Sequence, residues 1–272
     1  MRSFITLLIF LQFICLYARA QHGDYSLGAR HTGLGGASLT LSDAFSGFNN
    51  IGALAGAENT AICFTSAIPY NLPGLLKTGV AFNVPLLDGE AVINVFRFGN
   101  RNLNEHQVGI GYSNRMRFVS LGLKINYLQY KIKDRRSVKI FSFEFGGIVH
   151  IHTRLTLGAY LYYPFTGHPD LGQPRVAQAL LKVGLSYRPS ERIMMNAEYL
   201  WMAIDKNDLV FGIEYLIQNK VALRTGFSSY TLQPTMGIGF RGNLFSADYA
   251  IEIHPILGIS QELSVMVNTR KQ

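Results

Sequence analysis

The residue types able to do chemistry are few in this chain, and they argue against a catalyst. His150 and His152 stand two apart, which puts both rings on one face of a strand and could contribute to a metal site. No third ligand accompanies them, and they fall beside an expected turn. Acyl-transfer chemistry needs a nucleophile, a histidine base and an orienting group, and no G-x-S-x-G elbow occurs. A dinucleotide loop needs G-x-G-x-x-G after a strand. Here Gly33-Leu34-Gly35 is followed by Ser38 where the third glycine belongs, and a leader cleavage site rather than a strand lies upstream. No catalytic residue, cofactor or metal site is expected, and no nucleic-acid partner.

What remains is a set of charges of both signs on one face of successive segments: Lys182, Glu198, Glu214, Arg224, Arg241, Asp248, Glu252 and Glu262. In a partly dry interior such charges need partners. They predict either a neutralising network that fixes strand register and holds an inserted segment, or a polar permeation path.

The elements that carry these charges read as strands. From Val119, one face is Val119, Leu121, Leu123, Ile125 and Tyr127, and the other is Ser120, Gly122, Lys124 and Asn126. The same period of two recurs at 181–187, 209–215, 221–228, 245–253 and 262–268. The polar face is rich in glycine: Gly109, Gly111, Gly122, Gly158, Gly184, Gly212, Gly226, Gly237 and Gly239 all fall on it. A wall so short of side chains accepts something packed close against it. The apolar face ends in aromatics at many strand tips, among them Tyr112, Tyr127, Tyr163, Tyr187, Tyr199, Trp201, Tyr215, Phe240 and Phe245, as the girdles of outer-membrane barrels do. A soluble sandwich also alternates, but its water-facing side is rich in charge and poor in glycine.

Composition agrees. The chain is 48% hydrophobic and 15% charged over 272 residues, too apolar for disorder, and carries a net charge of +8. Residues 1–20 read as a signal peptide, with Arg2 before the apolar run Phe4 to Tyr17 and Ala18-Arg19-Ala20 as the cleavage site. Cys15 lies inside that run behind Ile14, a poor context for lipidation. Removing the leader leaves a basic chain whose one cysteine, Cys63, cannot form an internal disulfide. Beyond the leader no apolar run is long enough for a transmembrane helix, so a membrane protein would have to be a barrel.

Turn signals predict fourteen strands, near 59–68, 74–85, 90–99, 105–114, 116–132, 137–151, 154–165, 175–188, 192–203, 208–217, 220–229, 233–242, 244–254 and 260–269. The expected fold is all-β: a transmembrane antiparallel barrel over 59–272 with a short helical and glycine-rich plug at 21–58. Short periplasmic turns are expected at Leu87-Asp88-Gly89, Asn114-Arg115, His152-Thr153, Pro189-Ser190-Glu191, Gln218-Asn219 and Gly242-Asn243. Longer external loops are expected at Lys133-Asp134-Arg135-Arg136, a basic tip suited to lipopolysaccharide, and at Thr166 to Pro174. Fourteen strands enclose a lumen that their own side chains do not fill. The plug is therefore expected inside or against the periplasmic mouth, with Ser42 to Ala55 as a helix capped by Ser42 or Asp43 and stopped at Gly56.

The stretch LGARHTGLGGASLTLSDAFSGFNNIGALAG resembles the N-terminal signature of the PorV/PorQ group of FadL-like outer-membrane barrels. Arg30, Gly33, Gly35, Gly36 and Ala37 match the turn of that signature, and Asp43 its acidic helix start. Asn50, Gly52, Leu54 and Ala55 match its helix end, and Ile51 departs from it, standing where the group has proline. VFGIEYLIQNKVALRTGF is similar to the penultimate hairpins, and HPILGISQELSVMVN, which includes His254 before Pro255, to the closing strand. The resemblance implies an integral outer-membrane protein serving type IX secretion as an accessory or scaffold, with secretion-system proteins or secreted cargo as partners besides outer-membrane lipid. The alternative it implies is a FadL-like channel for hydrophobic solutes. Short external loops favour the accessory role.

Overall fold

The computed structural model describes residues 25–57, 60–134, 137–165, 178–204 and 206–269. The leader, the loop at 166–174 and the basic tip's Arg135 and Arg136 lie outside the described residues. Fourteen antiparallel strands, each paired with its neighbours in sequence, form one closed barrel. They are β1 (Ala61–Ile68), β2 (Lys77–Leu86), β3 (Gly89–Gly99), β4 (Leu103–Met116), β5 (Val119–Ile132), β6 (Val138–His152) and β7 (Leu155–Phe165). The second half is β8 (Leu180–Ser190), β9 (Ile193–Met202), β10 (Asp208–Ile217), β11 (Val221–Ser228), β12 (Gln233–Arg241), β13 (Phe245–His254) and β14 (Gly258–Asn268). Closure is made by β1 against β14, with Ala61 opposite Asn268 and Ile68 opposite Gln261. Closure leaves no unpaired edge.

The period of two sorts every strand. Outward side chains such as Ile62, Val95, Ile125, Leu185, Ile213 and Leu263 are exposed around the whole circumference. Water tolerates only isolated apolar patches on a protein surface, whereas this belt is continuous and suits hydrocarbon. Many inward positions are buried and small or polar, such as Ser113, Ser120, Asn126 and Glu214. Tyr163, Tyr187, Tyr199 and Trp201 face outward, as the alternation requires.

Six connections at one end are tight turns. Several place non-glycine residues at positive φ, including Leu87, Arg117, Gln218 and Asn219. Three differ from the sequence reading. β8 continues through Pro189 and Ser190, with Ser190 opposite Ile193, so that turn is Glu191-Arg192. β4 continues through Asn114-Arg115, because Asn114 pairs with Leu121 and Met116 with Val119, and the turn falls at Arg117-Phe118. β6 runs to His152, so that turn is Thr153-Arg154. A bulge between His150 and His152 interrupts the ladder. His150 meets the Thr156 hydroxyl at 3.0 Å and His152 accepts from the Arg154 N–H, so the pair serves the turn.

The N-terminal segment threads the lumen, and its helix differs from expectation. Ser42 to Ala55 is not one helix: α2 spans Ser46–Asn49, and a 3-10 turn spans Ile51–Gly56. The break is Asn50, whose extended backbone lets its side chain accept from Gly52 N–H. Asp43 accepts from Phe45 N–H at 3.0 Å, ahead of α2. Upstream, Ala29–Gly33 forms a further short helix, α1, so Arg30 and Gly33 are helical rather than part of a turn.

Candidate functional site

The contact between plug and wall is built on absent side chains. Gly35 has φ +67, and a Cβ there would stand 2.5 Å from the Phe227 backbone N, with Gly226 directly behind it. Only a glycine meets both the left-handed backbone and the approach. Leu34 fills the space over Gly212, and Leu39 that over Gly158. Further round the barrel, the Ile51–Gly52 backbone lies against Gly122 and Gly146. Gly36 turns the chain at φ +91, and the Ala37 carbonyl accepts from Asn196 Nδ2 at 2.8 Å.

Polar groups on the wall complete bonds the plug cannot make itself. The first N–H groups of a helix lack partners within it, and Gly28, at the N-cap of α1, offers no side chain. Glu262 of β14 accepts from Gly28 N–H at 2.8 Å and Ser264 from Ala29 N–H at 2.6 Å. Glu262 also receives the Thr32 and Thr65 hydroxyls. Glu198 accepts from Leu39 N–H, and Lys182 donates to the Ser26 hydroxyl at 2.8 Å.

An ionic latch lies on the same wall. Arg30 donates Nε and Nη2 to the two oxygens of Glu214 at 2.9 and 2.8 Å, and Nη1 to Asp43 at 3.0 Å. Glu214 of β10 faces Arg224 of β11 in register, at 2.6 Å. Arg224 continues to Asp248 at 2.6 Å, and Arg241 reaches Glu214 at 2.6 Å. Burial alone would lower the Arg30 pKa, but Glu214 and Asp43 outweigh it and raise it, so Arg30 stays charged. Of the eight expected lumen charges, Glu252 takes no part in these bonds.

Three features went unseen in the sequence. Lys124 and Glu144 face each other across β5 and β6 and pair at 2.9 Å, each almost fully buried. Lys124 and Asn94 also donate to the Gly47 carbonyl of the plug, at 2.7 and 2.8 Å. The register of two already recognised strands would have revealed this pair. A second feature is Tyr25, which donates to Glu105 at 2.5 Å and stacks edge-on against Phe96. Burial, then the charge of Glu105, raises the Tyr25 phenol well above its usual pKa.

The third is the character of the lumen at the end opposite the tight turns. From β3 to β9 its inner wall is largely apolar, with Phe96, Leu128, Ile140, Tyr162, Leu180 and Leu200 in one buried cluster and Glu105 and Gln107 of β4 as polar residues among them. Phe98, Leu103, Ile132, Val138 and Met202 are half-buried against it. The opposite arc is polar, with Gln233, Thr235 and Ser260 inward. The lumen therefore has an apolar arc at one mouth and a charged latch toward the other, with the plug between.

A closed fourteen-strand barrel with its N-terminal segment inside defines the class, and solved structures superpose on this fold. The toluene transporter TodX of Pseudomonas putida superposes with a TM-score of 0.64 at 11% identity, covering 92% of this chain and 99% of that one. The toluene transporter TbuX of Ralstonia pickettii gives 0.62 at 11% identity, covering 90% and 98%. A FadL homologue of Pseudomonas aeruginosa gives 0.56 at 12% identity, covering 92% and 98%. The fold is thus that of the FadL-type barrels. No protein-family model and no curated protein matches the chain.

Proposed function

We propose that this chain is an outer-membrane barrel that admits hydrophobic solutes from the external face, with its N-terminal segment as the gate. The observation that carries the reading is the apolar arc of inward aromatic and aliphatic residues, Phe96 to Met202, at the mouth opposite the tight turns. A porin for polar solutes would line that mouth with charge. The likeness to barrels described as toluene transporters supports the reading. Tight turns are the periplasmic hallmark of such barrels, which supports a periplasmic side for the latch. Since Gly35, Leu34 and Ile51 press on the wall, passage requires the plug to shift.

The test is uptake. Cells of an outer-membrane host carrying the gene should accumulate a radiolabelled monoaromatic hydrocarbon faster than vector controls, and Phe98→Asp should remove the gain. Uptake equal to the vector control would refute the channel.

A second reading is an accessory barrel of type IX secretion, in contact with secretion proteins or cargo. It is supported by the N-terminal signature and by the brevity of external connections such as 100–102 and 255–257, which leave little structure for collecting ligand. Copurification with secretion-machine components from solubilised membranes, together with no hydrocarbon uptake, would favour it over the channel.

A further inference from the structure

The tight-turn mouth holds a cavity of about 450 Å³ that the latch only partly explains. Five arginines line it, Arg30, Arg154, Arg188, Arg192 and Arg241, against two glutamates, Glu191 and Glu214. Glu214 is already shared by Arg30, Arg224 and Arg241. Arg188 directs Nη2 at the Met194 sulfur at 3.6 Å, a weak acceptor. Arg154, Arg188 and Arg192 make no salt bridge to a carboxylate among the described residues. Arg154, Arg188 and Arg192 are exposed at the rim of the concavity, where like charges crowded together repel one another, and that repulsion is relieved when an anion enters.

We propose that this cavity is a binding site for a phosphate group, taken by Arg154, Arg188 and Arg192 with Arg241 at its inner edge. The guanidinium fork pairs two N–H donors with two oxygens of a phosphate, and several forks around one concavity suit a tetrahedral anion better than a flat one. The backbone supports the spacing: Arg188 N–H donates to the Arg154 carbonyl at 2.8 Å, so the two side chains rise from adjacent positions of β8 and the β6–β7 turn. Arg30, supplied by the plug, completes the wall, so the site is whole only while the plug is seated. A phosphate could come from the headgroup of a lipid at the rim or from a soluble phosphate compound. The site does not depend on what the barrel transports.

Calorimetric titration of the full chain in a neutral detergent tests it, with inorganic phosphate and, separately, short-chain phosphatidylglycerol as probes. Both should bind the wild-type chain, and more weakly as salt rises. Arg154→Gln with Arg188→Gln should weaken binding by roughly tenfold or more, while Arg101→Gln at the opposite mouth should leave it unchanged. Similar affinities for the two probes identify a soluble phosphate as ligand, and a clear preference for the lipid identifies a headgroup. Heat-modifiable gel migration checks that each variant barrel is folded. Absence of binding by either probe, or full binding by a folded double variant, overturns the proposal.

Discussion

Arg30 and Glu214, 184 residues apart in sequence, meet through two parallel hydrogen bonds of 2.9 and 2.8 Å and tie the N-terminal segment to the barrel wall. Arg30→Ala leaves Glu214 with Arg224 and Arg241, so the barrel should fold while the plug loosens. A buried charge-assisted pair of this kind contributes about 1.5–3 kcal/mol. Ion conductance in planar bilayers should therefore rise from a closed baseline to frequent openings. A baseline equal to wild type would remove the latch role. Comparing the single variants with an Arg30→Ala, Glu214→Gln double variant isolates the pair itself.

The glycines of the contact should be as intolerant as the charges. Gly35→Ala sets a Cβ 2.5 Å from the Phe227 backbone and forces a side chain onto φ +67. Strain alone costs about 1–3 kcal/mol, and the collision adds to it. Protease cleavage at Arg30 should become fast in folded, detergent-solubilised Gly35→Ala and remain slow in Gly74→Ala, where only the Asn100 side chain lies near. Equal protection of both variants would show that the wall gives way.

These two contacts also mark how far the sequence could be read. Alternation of apolar and small residues was enough for the strands and the barrel, because each inward or outward position is set by its own residue type. The glycines were legible as a thin wall. The charge partners that cross from plug to wall were not, since Arg30 meets Glu214 only when the N-terminal segment enters the barrel. Helix α1 was invisible for a related reason: its N-terminal N–H groups bond Glu262 and Ser264, more than 230 residues away, so no local cap announced it. Asn50 looked like a helix end, and its side chain is what splits the expected helix by reaching Leu39 and Gly147 carbonyls. The apolar arc stayed hidden because runs such as Tyr160-Leu161-Tyr162-Tyr163 are apolar on both faces, so aromatic Tyr162 turned inward unseen beside its outward neighbour.

The Lys124–Glu144 pair should behave as a unit. Lys124→Met strands a carboxylate in a dry wall and takes a donor from the Gly47 carbonyl, a loss on the order of 3–5 kcal/mol. Lys124→Met combined with Glu144→Gln removes both charges and should recover much of it. The temperature at which the heat-modifiable band converts on gels reports both. A double variant no better than Lys124→Met would show that the Gly47 bond, not the stranded charge, sets the cost.

Tyr25 gives the plug a dependence on alkali. Its phenol is raised well above the usual 10.0 by burial first and by the Glu105 charge second. A seated plug therefore keeps its proton where a displaced plug loses it. With the seated pKa above the displaced one, Tyr25's contribution is fully present below about pH 10 and is lost as pH rises toward the seated value. The loss amounts to about 1.4 kcal/mol per pH unit across that window. Bilayer conductance should accordingly increase as pH is taken from 9 to 11. Tyr25→Phe has no proton to lose, so its conductance should start higher, for want of the bond to Glu105, and rise less steeply over the same range. Parallel slopes in the two proteins would assign the alkaline response to other groups and leave Tyr25 only a packing role against Phe96.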